Sequence, residues 1–325
     1  MRFSRVAAAL RPTRPELVLM AITALWGATF LVVHVAVTTT GPMFFVGLRF
    51  LAAAAICSLV FRSALRKIGL AELVAGTAIG AAIFLGYGLQ TFGLQTVNSS
   101  TSAFITALCV PLVPLLQWAV LRRRPSGLAL AGTGLAVIGL VFLAGPSAIS
   151  VGLSVGEIAT IASAFAFAAE VILIGAFAGR VNIAGTTIVQ LFVAGALGLV
   201  AMPITGEQIP EFSWVWLGAA LFMAASSAAI QFGMNWAQRS VSPTRATIIY
   251  SGEPVWAGIV GAAAGERILI TSLVGAAFIV AGVIVSELRR TPEREHKVEV
   301  GAHHASDDAA TTPINSESTT EEPFR

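Results

Sequence analysis

Charge is scarce in this chain. Only 11% of its 325 residues are Asp, Glu, Lys or Arg, against about a quarter in a typical soluble domain. That deficit excludes an ordinary soluble globule. It also argues against a nucleic-acid partner. The sequence pI is near 9.3, but the basic residues cluster between apolar runs instead of covering a soluble face. Cysteine is almost missing as well. Cys57 and Cys109 both lie inside apolar runs, which makes them small packing residues with no disulfide between them. Motifs for chemistry are absent too. No GxxxxGK[ST] loop is present to hold ATP phosphates, and no His/Cys/Asp group has metal-ligand spacing. No serine is expected to work in a nucleophile-elbow context. His303-His304 stands in the polar tail and could take up metal only adventitiously. The expectation is a protein that is not an enzyme and needs no cofactor or metal.

Apolar residues dominate instead, at 56% of the chain and a mean hydropathy of +0.83. They form ten runs, at 16–37, 41–61, 71–93, 98–121, 126–145, 154–178, 185–203, 213–237, 241–264 and 268–288. Each is near the roughly 20 residues that a membrane-crossing helix needs. The joints between them, such as Thr38–Pro42, Val97–Thr101 and Gly145–Leu153, are short and rich in turn residues. The first run is too long for a signal-peptide core, so it reads as an uncleaved span.

Positive charge falls on alternate joints. Arg2, Arg5, Arg11 and Arg14 precede the first run. Arg62, Arg66 and Lys67 follow the second, Arg122–Arg124 the fourth, Arg180 the sixth, Arg239 the eighth, and Arg289-Arg290 the tenth. The opposite joints hold no Lys or Arg before Arg267, which adjoins Glu266. This alternation predicts ten spans with both termini cytoplasmic.

The chain also repeats itself. Thr101, Ala103, Ile105 and Pro111 recur as Thr244, Ala246, Ile248 and Pro254, 143 residues on; Gln95 meets Gln238, and Gly132 and Gly139 meet Gly275 and Gly282, at the same offset. Five spans per copy is an odd number, so the second copy is inverted in the membrane. Inverted repeats imply a binding site where the halves meet. The expected fold class is all-α integral membrane: ten transmembrane helices in two inverted five-helix repeats. A cytoplasmic segment 1–15 precedes repeats at 16–145 and 154–288, and a disordered cytoplasmic tail follows at 291–325.

Several strings carry a family resemblance. They are Trp26-Gly27-Ala28-Thr29-Phe30, Arg49-Phe50, Thr101-Ser102-Ala103 leading to Pro111-Leu112, Glu253-Pro254-Val255, and Gly265-Glu266. Together they resemble the EamA unit of the drug/metabolite transporter superfamily, used twice over about residues 16–288. The resemblance implies ten helices in two inverted halves and an inner-membrane carrier, often an exporter of amino acids, metabolites or toxic compounds. The chain departs from the family pattern twice. Arg122-Arg123 stands where Gly-Glu is common, and His34 where a Lys is common.

Ionisable groups deep in a span are costly, which makes them functional candidates. Glu253 lies near the middle of the ninth run beside Pro254, a residue that removes a helical hydrogen bond. It could hold a proton, a cation or a substrate amine; the bland alternative is a structural kink. Glu170 shares a helical stripe with Thr160, Ser163 and Phe167. With no polar neighbour within a turn on its own helix, it needs a partner from elsewhere or water. His34 is either a proton-responsive site or a packing residue. Arg49 reads as structural, paired or snorkelling, and Arg239 and Arg245 as topology charges. Gln231, Asn235 and Gln238 on one face of the eighth run, and Gln90, Thr91 and Gln95 in the third, are cavity lining or inter-helix glue. Trp26, Tyr87, Tyr250 and Trp236 are candidate aromatic walls, with an interfacial position the alternative for Trp236. Pro111 and Pro254 are structural or gating positions.

These features predict a secondary transporter of the plasma membrane that works by alternating access. It would export a small metabolite, amino acid or drug-like compound in exchange for protons, with Glu253 or Glu170 as the proton site. The expected partners are that solute, membrane lipid and H+. The rivals are an uncoupled facilitator and a lipid-intermediate flippase or assembly partner.

Overall fold

The computed structural model describes residues 13–121, 153–265 and 270–287, with short pieces between 127 and 142. Every regular element among the described residues is a helix: α1 (Arg14–Ala36), α2 (Pro42–Val60), a single turn at Arg62–Leu65, α3 (Leu70–Gly93), α4 (Ser99–Thr106), α5 (Cys109–Leu121), α6 (Val155–Phe177), α7 (Ile183–Ala201), α8 (Trp214–Ala237), α9 (Pro243–Tyr250), α10 (Glu253–Ala263) and α11 (Ile270–Glu287). Seven stretches are long and apolar enough to cross a membrane: α1, α2, α3, Ser99–Ala119, α6, α7 and α8. The chain is a multi-pass membrane protein. Most of the fifth apolar run, Arg122–Arg124, Glu266-Arg267 and the tail lie outside the described residues.

Polar caps set where the helices begin. Thr13 and Glu16 form a capping box on α1, with Glu16 Oε2 accepting from the Thr13 amide at 2.7 Å. Ser154 and Glu157 form the same box on α6, at 2.8 Å and 3.2 Å. Each box satisfies amides that have no partner inside the helix, which matters more where water is scarce. The letters around Ser154, Gly152-Leu153-Ser154-Val155-Gly156, do spell G-x-S-x-G. No strand precedes them among the described residues, and the hydroxyl is spent on the cap.

Two further glutamates cap helices of the opposite half. Glu207 accepts from the amides of Met43 and Phe44 at 3.1 and 3.0 Å, at the start of α2. Glu72 accepts from the amide of Asn182 at 2.9 Å, at the start of α7. Helices α2 and α7 run antiparallel with small residues between them. A Cβ on Gly195 would come within 2.6 Å of the Leu51 amide nitrogen, and one on Gly198 within 2.7 Å of that of Gly47. Backbone contact this close needs glycine, and it supplies the van der Waals packing that holds helices together in lipid.

Two runs expected as single helices are broken. The first break lies at Ala107-Leu108, between α4 and α5, and the second at Ser251-Gly252, between α9 and α10. Carried forward by the repeat offset, Leu108 falls on Ser251, so the breaks coincide to within a residue. The expected kink at Pro254 is therefore a restart. Pro254 sits in the first turn of α10, where a missing N–H costs nothing. The amides of Ser251 and Gly252 turn back to the carbonyls of Thr247 and Ile249, at 3.0 and 3.1 Å.

Candidate functional site

The polar residues of α6, α7 and α8 form one chain of hydrogen bonds. Asn235 Nδ2 donates to Gln190 Oε1 (3.1 Å), Gln190 Nε2 to Gln231 Oε1 (2.8 Å), and Gln231 Nε2 to Glu170 Oε1 (2.8 Å). Thr187 Oγ1 also accepts from Asn235, at 3.2 Å. Every amide donates towards the carboxylate. Glu170 is fully buried, and its Oε2 has no hydrogen-bond partner. The partner it needs from elsewhere is thus Gln231. The middle of the chain, Gln190, is a residue that the reading of the sequence passed over. A lone amide in an otherwise apolar run was the available signal, because it must find a partner in lipid.

Glu253 opens α10 and is 6% exposed, with Oε1 unpartnered. An anion in the first turn of a helix is stabilised by the dipole and the free amides there. Close packing fixes its backbone. A Cβ on Gly27 of α1 would lie 2.6 Å from Trp256 Cβ and 2.8 Å from the Glu253 carbonyl oxygen. Among the described residues neither Glu253 nor Glu170 is paired with a cation.

Aromatic rings fill the space between the elements that carry these acids. Trp26 of α1 is 6.4 Å from Tyr87 of α3, 6.2 Å from Phe167 of α6 and 5.6 Å from Tyr250 of α9, measured between ring centroids. Tyr87 in turn meets Phe167 at 4.8 Å and Phe50 at 5.1 Å. Phe167 stands one turn before Glu170 on α6, and Gly27, next to Trp26, packs on the carbonyl of Glu253. Trp26, Tyr87 and Tyr250 therefore come together in one cluster, and Phe167 and Phe50 join them as additional walls. Arg49, 1% exposed, completes the cluster. Its guanidinium carbon lies 4.4 Å from the Phe50 centroid and 4.5 Å from that of Tyr87. Ring faces, not a carboxylate, hold this charge.

Other sequence candidates lie elsewhere. His34 Nδ1 is 2.9 Å from the carbonyl oxygen of Leu94, at the end of α3. It is two turns beyond Trp26 along α1, or ~12 Å at 1.5 Å per residue, and serves to tie α1 to α3. Gln90 donates to Thr106 of α4 at 3.1 Å, and Thr106 to the Ser102 carbonyl at 2.8 Å; Thr91 is buried beside it. Gln95 does not share that face: it lies past the end of α3 and is exposed. Gln238 reaches the Tyr250 hydroxyl at 3.5 Å. Trp236 is exposed, as an interfacial residue is. Arg239 is exposed too, whereas Arg245 pairs with Glu16 across α9 and α1. Pro111 occupies the first turn of α5, as Pro254 does in α10. Both cysteines are buried and free.

An arrangement of buried acids, amides and rings among membrane helices suits binding, not bond-making. The chain is similar to known proteins along most of its length. It is 28% identical over 278 residues to an uncharacterized transporter of Archaeoglobus fulgidus, covering 84% of this chain and 86% of that one. It is 22% identical over 277 residues to the uncharacterized transporter YoaV of Bacillus subtilis, covering 82% and 94%. A solved crystal structure superposes with a TM-score of 0.60 at 19% identity, over 86% of this chain and 99% of the other; this likeness concerns the fold alone. Residues 14–145 and 154–288 each match the EamA-like transporter family. With two such units side by side and buried acids enclosed by their helices, the chain belongs to the EamA-like transporter family.

Proposed function

We propose that this transporter is a proton-coupled exporter of a small molecule, working by alternating access at the cluster around Trp26. One observation carries the reading. Glu170 and Glu253 are both buried, both lack a cationic partner among the described residues, and each keeps one oxygen unpartnered. A dry carboxyl is far cheaper protonated than charged. Proton occupancy therefore sets whether the cluster can close in lipid, and opening to water on either side reverses that preference. Gln231 and Asn235 orient Glu170, while Tyr87, Tyr250 and Trp26 wall the cargo. The breaks before Pro111 and Pro254 let half-spans move, and Arg49 holds two of the rings in place.

The architecture proposed with this mechanism has ten spans in two inverted halves, residues 16–145 and 154–288, with both termini cytoplasmic in the plasma membrane. Three features support it. The broken α9–α10 pair, α11 and the helical pieces between 127 and 142 add to the seven long stretches. The breaks recur at the repeat offset. Glu72 and Glu207 cap the second span of each other's half.

Proteoliposomes offered a pooled metabolite library, with and without a pH gradient, test the reading. Uptake that follows the gradient is expected, and loss of that response in a Glu170→Gln, Glu253→Gln double variant. Gradient-driven uptake that survives in the double variant would sink the proton role. Insensitivity of the unaltered protein to a protonophore would leave an uncoupled facilitator. A second reading rests on an apolar groove of about 630 Å³ between α10 and α11, lined by Phe104, Pro254, Gly258, Leu273 and Ala276 among others. It begins one residue from Glu253 and would suit a lipid-like cargo entering sideways. Transport of no soluble compound, with lipid scrambling in the same vesicles, would favour it.

A further inference from the structure

The geometry points to an organic monoamine, a protonated amine on a flat apolar body, as the cargo class of this site. The inference deepens the transport reading and rests on it. Two unpartnered carboxylate oxygens, Glu170 Oε2 and Glu253 Oε1, are buried at the cluster. No Lys, Arg or His pairs with either among the described residues. The amide chain from Asn235 to Glu170 is polarised towards the carboxylate, so it steadies the acid while leaving one of its oxygens free. Trp26, Tyr87, Phe167 and Tyr250 form one ring cluster, with Phe167 one turn before Glu170 on α6 and Gly27, next to Trp26, packed on the Glu253 carbonyl; π faces attract a cation as a carboxylate does.

One group speaks for an anion. Arg49 Nε is buried and unpartnered. Its charge, however, is already held by the faces of Phe50 and Tyr87, and two free carboxylate oxygens outnumber it. A zwitterion with an α-carboxylate would bring a second negative group among acids that have no cation to spare. An ammonium arriving as a carboxyl releases its proton leaves the net charge of the site unchanged. That exchange couples cargo to proton without stranding an ion in lipid.

Three compounds of one shape separate the possibilities: 2-phenylethylamine, phenylalanine and 2-phenylethanol, the cation, the zwitterion and the neutral body. Binding to the purified full-length protein in detergent is followed by tryptophan fluorescence and calorimetry, with no gradient applied. The amine is expected to bind at least about tenfold more tightly than either analogue, as loss of a charged partner usually costs that much. Glu253→Gln and Glu170→Gln should each erase most of that preference, and their melting temperatures report whether they remain folded. If both fail to fold, Glu253→Asp, which keeps the charge on a shorter arm, should retain the preference for the amine. Tighter binding of phenylalanine would overturn the inference and give Arg49 the carboxylate. Equal binding of all three would overturn it too. Because binding is read without a gradient, amine binding in a protein that shows no pH-driven uptake would refute the coupling and not the cargo class.

Discussion

In the first half of the chain the interrupted span restarts on Cys109-Val110-Pro111; in the second it restarts on Gly252-Glu253-Pro254. Val110 and Glu253 occupy the same place in the repeat, both buried. The first helices of the halves compare in the same way. Their capping boxes set Thr13 against Ser154, which places Trp26 opposite Phe167 and Thr29 opposite Glu170. Trp26 and Phe167 touch edge to face. Thr29 satisfies its hydroxyl locally, donating to the Trp26 carbonyl at 2.6 Å, whereas Glu170 reaches across to α8. Duplication thus kept the backbone breaks and the ring positions, and the two buried acids without a cationic partner among the described residues both lie in the second half.

The sharpest way to break this comparison is to exchange the equivalents. Glu253→Gln should lower gradient-driven uptake in proteoliposomes by more than about tenfold, equivalent to ~1.4 kcal/mol. Val110→Ala, at the matching place, should leave uptake within about twofold, since it carries no charge for the cycle to use. Comparable losses from both would mean that the restart geometry matters and the carboxylate does not. Glu170→Gln against Thr29→Val forms the next pair. Glu170→Gln removes a proposed proton site but keeps an acceptor for Gln231, so it should reduce uptake several-fold and flatten its response to the gradient. Thr29→Val should change neither, and a flattened response from it would place the charge-sensitive step outside Glu170.

How far the site could be seen in the sequence follows from the range of the interactions involved. The repeat, the apolar runs and the two acids are local patterns, and they appear in the sequence without any partner. Glu253 stands out there because an acid beside a proline in an apolar run has no cheap explanation. The partner of Glu170 does not stand out, because Gln231 and Gln190 come from helices 61 and 20 residues away in the chain. Arg49 reads as a candidate for an acid, yet it stacks on rings; cation–π contacts leave no sequence pattern. The caps from Glu72 and Glu207 look like loop charges until α2 and α7 are packed together. Pro254 marks the break correctly and misstates its form, since a proline fits a kink and a helix start equally well.

A smaller effect is expected from the amide chain, and it is one of stability. Gln190→Leu would strand Gln231 Oε1 and take one of three acceptors from Asn235 Nδ2. Leaving buried polar groups unpaired costs about 1–3 kcal/mol, visible as a lower melting temperature in detergent. Among the described residues of the first half, Gln90 has one side-chain partner, Thr106. Gln90→Leu should therefore cost less than Gln190→Leu, and the reverse order would show that the α3–α4 contact is the more important glue.

The smallest difference concerns the capping acid at the start of each half. Glu16 pairs with Arg245, whereas in the other half Ser102 takes the place of Arg245, and Glu157 serves its cap. The Arg245 side chain is 61% exposed and that of Glu16 7%, so the pair is screened at one end and should contribute less than about 1 kcal/mol. Glu16 has a second duty on Thr13, and removing a cap costs about 1 kcal/mol by itself. Glu16→Ala, which removes the cap together with the charge, should therefore lower the melting temperature more than Arg245→Gln. The Arg245→Gln loss should fade in high salt, while most of the Glu16→Ala loss should persist. Equal losses that both vanish with salt would mean that the pair, not the cap, holds the entrance of α1 against α9.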